Sequence, residues 1–214
     1  MYLPRHFEES RVEVLHEFVH RQPFGLLVTH GAQGLTANAL PFLLDADGSP
    51  GLGTLRGHVA RANPVWREES SDGSALVVFQ GPQGYVSPAW YPAKAEHGKV
   101  VPTWNYVIVQ ARGRLRVVDD AGWLRGLVTR LTERHEAAQP APWAVSDAPA
   151  EFVDTMLRAI VGIEIELESL TGKWKVSQNR SVADREGVVD ALERIGTDAS
   201  RALAAQVARP GAAD

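Results

Sequence analysis

Residues 24–57 read FGLLVTHGAQGLTANALPFLLDADGSPGLGTLRG. Short apolar or alternating runs, FGLLVT, LTANALPFLL and SPGLGTLRG, are separated by HGAQG and DADGS, whose glycine, aspartate and serine content is that of turns. Alternation at period two turns one face of each run toward a core and leaves the other outside, so the stretch predicts an antiparallel meander. Downstream, SALVVFQG (74–81), NYVIVQARGRLRVV (105–118) and IEIELE (163–168) supply further strands. Strands in series would leave edges exposed unless the sheet curls on itself, which points to a closed or split barrel.

Helical patterns flank and interrupt the strands. Ser10 with Glu13 forms a capping-box pattern opening a helix over about residues 10–22, with Leu15, Phe18 and Val19 on one face and Pro23 as a stop. Asp120 is placed to cap a helix whose Trp123, Leu124, Leu127, Val128 and Leu131 fall on one face of a 3.6-residue period. After Pro149 a helix is expected to bury Phe152, Val153, Met156, Leu157 and Ile160 and to end at Gly162; a last one from Ser181 turns Val188, Val189, Leu192 and Ile195 inward. With no internal repeat and no long linker, the expectation is one domain over 1–196 and a helical or frayed tail over 197–214. The fold class is α+β.

Composition narrows the chemistry. The 214 residues are 44% hydrophobic and 22% charged, as in ordinary globular proteins. No cysteine is present, which excludes disulfides, thiolate metal sites and thiol nucleophiles. No run approaches the ~18 apolar residues of a membrane span, and the acidic opening MYLPRHFEES is unlike a signal peptide. A cytoplasmic protein without membrane contact is expected. The net charge of −4 opposes a phosphate backbone, so direct DNA contact finds no support.

His16-Glu17-Phe18-Val19-His20 matches H-E-x-x-H, yet its short, N-terminal helix offers no third ligand, and a solvated face is the better reading. Gly51, Gly53 and Gly57 are spaced as turn and strand glycines, not as a dinucleotide loop. Glu164, Glu166 and Glu168 share one strand face, read as solvated. No metal ligand and no catalytic residue is assigned.

Three stretches mix aromatic, amide, hydroxyl and basic residues with glycine and proline: GTLRGHVARANPVW, FQGPQGYVSPAWYPAK with VPTWNYV beyond it, and LTGKWKVSQNR. Glycines let backbone approach a ligand, and Trp90, Trp104 and Trp174 offer flat faces with one N–H each. The set suits a planar heteroaromatic. Cationic and hydroxyl partners for a phosphate are available in Arg61, His58, Ser87, Lys94 and Lys175.

Those stretches, with MYLPRHF, LTERHE, IVGIEIELES and DREGVV in the same order, resemble successive blocks of the PaiB-type FMN-binding negative transcriptional regulators, from residue 1 to about residue 192. The resemblance implies a split β-barrel of the FMN-binding, pyridoxamine phosphate oxidase-like kind, with FMN held between the subunits of a homodimer. It places Asn38 and Leu40 beside the flavin ring, and Thr54, His58 and Arg61 toward the phosphate. Ser87, Trp90, Lys94, Trp104, Asn105, Lys175 and Gln178 are added by motif membership and chemical type. Ala39 stands where relatives usually carry histidine. The implied function is negative regulation of transcription, through an unidentified small molecule or protein partner. A flavin-dependent oxidoreductase is the alternative, and a haem-related or degenerate module that keeps the barrel without flavin is a third possibility.

Overall fold

The computed structural model describes residues 1–32, 34–46, 51–67 and 73–209. Gln33 and residues 47–49 of the expected turns lie outside them. In chain order the elements are β1 (Glu8–Glu9), α1 (Val12–Arg21), β2 (Phe24–Gly31), β3 (Gly34–Pro41), β4 (Leu43–Asp45), β5 (Thr54–Ala60), β6 (Ser74–Val86), α2 (Ala93–His97), β7 (Thr103–Val118), α3 (Ala121–Glu136), α4 (Ala150–Arg158), β8 (Ile160–Lys175), α5 (Val182–Ile195) and α6 (Asp198–Ala208). The strands are hydrogen-bonded in the order β3-β2-β6-β7-β8-β5-β4, with β1 added against β8. The chain forms two compact units, and β6, β7 and β8 each pass from one to the other.

One unit comprises Pro23–Val78 and Ala111–Leu170. Within it β2 and β3 form the predicted hairpin, Leu26 opposite Ala39 and Leu27 opposite Asn38. β5 runs antiparallel to β8, setting Thr54 against Glu166, Arg56 against Glu164 and His58 against Gly162. Asp120 caps α3 as read from the sequence, its carboxylate accepting the Trp123 N–H at 2.7 Å. Leu127 and Leu131 of that helix pack with Leu43, while Leu124 packs with Val153 and Leu157 of α4.

The second unit comprises Met1–Gln22, Phe79–Gln110 and Thr171–Asp214. The Phe18 ring meets Trp174 edge to face at 5.4 Å. The α5–α6 pair follows, and Leu203, Ala204 and Val207 of α6 are fully buried. Thr197 caps α6 by accepting from the Ser200 N–H, and the Trp174 indole donates to Gln206.

Several expectations are corrected. α1 starts at Val12 with Arg11 as its N-cap and no side-chain cap, and the Glu9 carboxylate takes the Arg11 N–H and guanidinium. Phe152 and Met156 are exposed: each precedes a buried residue, Val153 and Leu157, by one position, a turn of about 100° away from α3. α4 ends at Arg158, and Gly162 lies inside β8, where a Cβ would collide with the Trp123 ring. Ile195, on the last turn before left-handed Gly196, is exposed. Glu164 is buried rather than solvated, whereas Glu166 and Glu168 are exposed.

Leu203→Ala is expected to cost about 2–5 kcal/mol in chemical denaturation, as for other fully buried leucines; an unshifted midpoint would mean α6 is not docked.

Candidate functional site

Period-two geometry divides the expected residues of the first unit between the two faces of β5. A Cβ at Gly57 would meet Leu40, Phe42 and the Pro41 carbonyl, so Gly57 and Leu40 share one face. Thr54, Arg56 and His58 turn the other way, toward α3: the Trp123 ring lies over Gly162, the register partner of His58. His58 Nδ1 is buried with no hydrogen-bond partner among the described residues, and burial pushes the imidazole below its ordinary pKa. Asn38 accepts from Asn63 Nδ2 at 2.7 Å, and Asn63 Oδ1 accepts the Val65 N–H.

Arg61 follows β5. Its guanidinium donates to both oxygens of Asp119, at 2.9 and 2.5 Å, and to the carbonyls of Arg158 and Ile160. The hydrogen bonds to Arg61 hold the Asp119 carboxyl below the usual carboxylate range.

Arg56, not singled out in the sequence, proves central to its unit. It donates to Glu164 at 2.7 Å and to Asp45; Arg116 also reaches Glu164, and Arg130 grips Asp45 with two nitrogens. Burial disfavours the charged form of Glu164, but the Arg56 and Arg116 guanidiniums outweigh it and hold its carboxyl below the ordinary range. The strand periodicity that grouped Glu164 with Glu166 and Glu168 could not reveal this, since the opposing cation is 108 residues away in the chain.

In the second unit, Ser87 caps a short 3-10 turn by accepting the Ala89 N–H. The Trp90 carbonyl stands where a Gly187 Cβ would be, and Lys94 is exposed on α2. Asn105 is buried and donates to Ser177 Oγ at 2.8 Å. Ser177 holds a left-handed φ of 66°. Gln178 accepts from the Val176 N–H and donates to the Trp174 carbonyl, closing its own loop. Lys175 donates to Thr103 Oγ1 and the Trp104 carbonyl; burial first, then Lys173 and Arg180, draw its ammonium below the usual lysine range. The Trp104 indole is half exposed, donates to Gln83 and meets Tyr85 edge to face. Lys173 is caged between the Tyr2 and Tyr106 rings.

Residues 1–169 match the family described as "Putative FMN-binding domain". Protease synthase and sporulation protein PAI 2 of Bacillus subtilis is 31% identical, over 90% of this chain and 89% of its own. The chain belongs to the PaiB-type FMN-binding family. An uncharacterized protein of Emericella nidulans is 35% identical over 95% of each chain. Among solved structures, the FAD and heme binding protein of Mycobacterium smegmatis aligns with a TM-score of 0.57 at 16% identity, covering 78% of this chain and 73% of that one. The flavocytochrome Anf3 of Azotobacter vinelandii gives 0.57 at 10% identity, over 81% and 72%. At such identities the likeness is one of fold, the α+β split β-barrel expected from the sequence. The family's cofactor is FMN. Among the described residues no group of three or more histidines and acids could hold a metal, and no helix is long and apolar enough to cross a membrane.

Because His58 is held neutral in the fold, the unfolded chain takes up a proton first as the pH drops below about 6.5, and stability is lost as the pH falls on toward the lower folded value. The thermal midpoint of the flavin-free protein should therefore fall between about pH 7 and 5, and His58→Gln should flatten that decline; an identical pH profile in the variant would remove His58 as its source.

Proposed function

We propose that the protein works as a homodimer that binds FMN at the subunit junction and acts as a negative regulator of transcription through a partner, without gripping DNA itself. The observation that carries the dimer is an apolar hairpin face. Phe24 and Leu26 of β2 and Leu35 of β3 are 65%, 41% and 75% exposed, on the same side as exposed Ala37 and Ala39. Isolated chains rarely leave so many neighbouring apolar side chains in water, and a twofold copy covers them by self-complementarity. The regulatory role rests on the resemblance to PaiB-type regulators, while the Bacillus relative's name speaks of protease synthesis and sporulation; the net charge of −4 favours action through a partner.

The residues fit a flavin phosphate and ring. The Arg61–Asp119 pair is solvent-exposed, and such pairs are weak enough for a doubly charged phosphate to displace the carboxylate. The amide of Asn38 keeps its N–H donors unspent among the described residues, on the strand face opposite Ala37 and Ala39. Leu40 shares the Asn38 face of its strand but is buried, whereas Thr54 and His58 face α3 and would meet the flavin only from that other side of the sheet; His58 Nδ1 is buried and lacks a partner among the described residues. In the other unit Lys94 is exposed and Trp104 half exposed, the Lys175 ammonium is taken up by Thr103 and the Trp104 carbonyl, and Ser87, Asn105 and Gln178 close local turns. FMN supplies hydride and electron transfer when bound; the chain's part is to bind and orient it. Turnover of that flavin would make the protein an oxidoreductase instead.

The purified protein should carry flavin absorbance, sediment as a dimer and show no nicotinamide oxidation above that of free FMN; sustained turnover would favour the oxidoreductase. Leu26→Lys should yield monomers with reduced flavin content, and a dimer unaffected by it would place the interface elsewhere. Arg61→Ala should weaken FMN at least about 10-fold, as for a lost charged hydrogen bond, and Asp119→Ala should tighten it by freeing the guanidinium. Unchanged titrations in both would remove Arg61 from the site.

A further inference from the structure

The α3-facing side of β5 and β8, which also bears Thr54 and His58, carries a charge network of residues that the proposed flavin contacts do not include. Three guanidiniums, of Arg56, Arg116 and Arg130, meet two carboxylates, of Asp45 and Glu164, leaving one positive charge in excess. The carboxylate oxygens are all occupied. Glu164 Oε1 accepts from Arg56 Nε at 2.7 Å and from the Trp123 indole at 3.3 Å, and its Oε2 accepts from Arg116. Asp45 Oδ2 accepts from Arg56 and, at 2.9 Å, from Arg130 Nη1; Oδ1 accepts from Arg130 Nη2.

The donors are not all used. Arg56 Nη2 and Arg130 Nε donate to nothing among the described residues. A cleft of about 350 Å³ opens beside them, lined by Arg56, Trp123, Gly126, Leu127 and Arg130. Its size falls at the lower end of small-molecule pockets. Its lining combines two guanidiniums with an indole and a leucine, all but Arg56 contributed by α3. Gly126 lines it from mid-helix, where glycine is disfavoured by about 1 kcal/mol; a Cβ there would meet no atom within 4 Å, so a larger side chain has room to enter the cleft.

We propose that this cleft is a binding site for a small aromatic carboxylate, its carboxylate received by the unspent N–H groups of Arg56 and Arg130 and its ring laid along Trp123 and Leu127. Planar guanidiniums suit a carboxylate, and an indole beside an aliphatic side chain suits a flat apolar body. Buried Glu164 and half-buried Asp45 hold both arginines in place before the ligand arrives, so little side-chain freedom remains to be lost on binding.

Benzoate is the probe, titrated calorimetrically into the flavin-loaded protein while the flavin spectrum is followed. Saturable binding of one benzoate per chain with an unchanged spectrum is expected, together with at least a tenfold loss of affinity in Gly126→Phe, whose ring would fill the cleft from an exposed helix position. Arg130→Gln should weaken benzoate as well, and thermal melts would confirm that both variants fold. The assignment is overturned if benzoate fails to saturate, if Gly126→Phe binds it as tightly as wild type, if inorganic sulfate competes as well as benzoate does, or if the flavin spectrum shifts with benzoate.

Discussion

The antiparallel pairing of β5 with β8 governs how the candidate residues of its unit are used. Once His58 stands opposite Gly162 and Arg56 opposite Glu164, strand alternation sends Leu55, Gly57 and Val59 to one face and Thr54, Arg56 and His58 to the other. A slip of one residue would exchange the faces. The register is held by apolar burial of Leu55, Val59, Ile163 and Ile165 and by the Arg56–Glu164 pair across the strands. Gly162 adds a steric condition, because the Trp123 ring occupies the space a side chain would need.

From that register follows the unusual layer beneath α3. Helices usually cover a sheet with aliphatic side chains, and Leu127 and Leu131 do so against Leu43. Beside them the layer is ionic, with Glu164 buried and Asp45 nearly so. Buried ion pairs roughly break even against apolar packing, so the network contributes more to orientation than to stability. It holds Arg56 and Arg130 at the mouth of a cleft with donors to spare. Arg61 works differently: its partner Asp119 is exposed, so that guanidinium can change partners at little cost. Two arginines five residues apart thus have unlike roles, set by how much water reaches their acids.

Much of the architecture was legible locally. The hairpin of residues 24–41, the Asp120 cap and the Leu124–Leu127–Leu131 stripe all depend on neighbours within a few positions, and each formed as read. Reading failed where a distant group intervened. The Trp123 ring claimed the space over Gly162, and α3 chose Val153 and Leu157 over Phe152 and Met156. Residues chosen as ligand contacts by chemical type proved engaged with their own backbone when they sat in tight loops: Gln178 bonds to Val176 and Trp174, and Ser87 to Ala89. Composition cannot separate a polar side chain that waits for a ligand from one that closes a turn.

Strand periodicity, turn chemistry, the lack of cysteine and the ordered blocks shared with PaiB-type proteins needed no coordinates, because each is a property of consecutive residues or of the residue inventory. Which face a side chain occupies and which charge it meets needed the folded chain. Arg56 and Glu164 are 108 positions apart, and nothing in either neighbourhood encodes the other; their pairing exists because the strands that carry them close into one sheet.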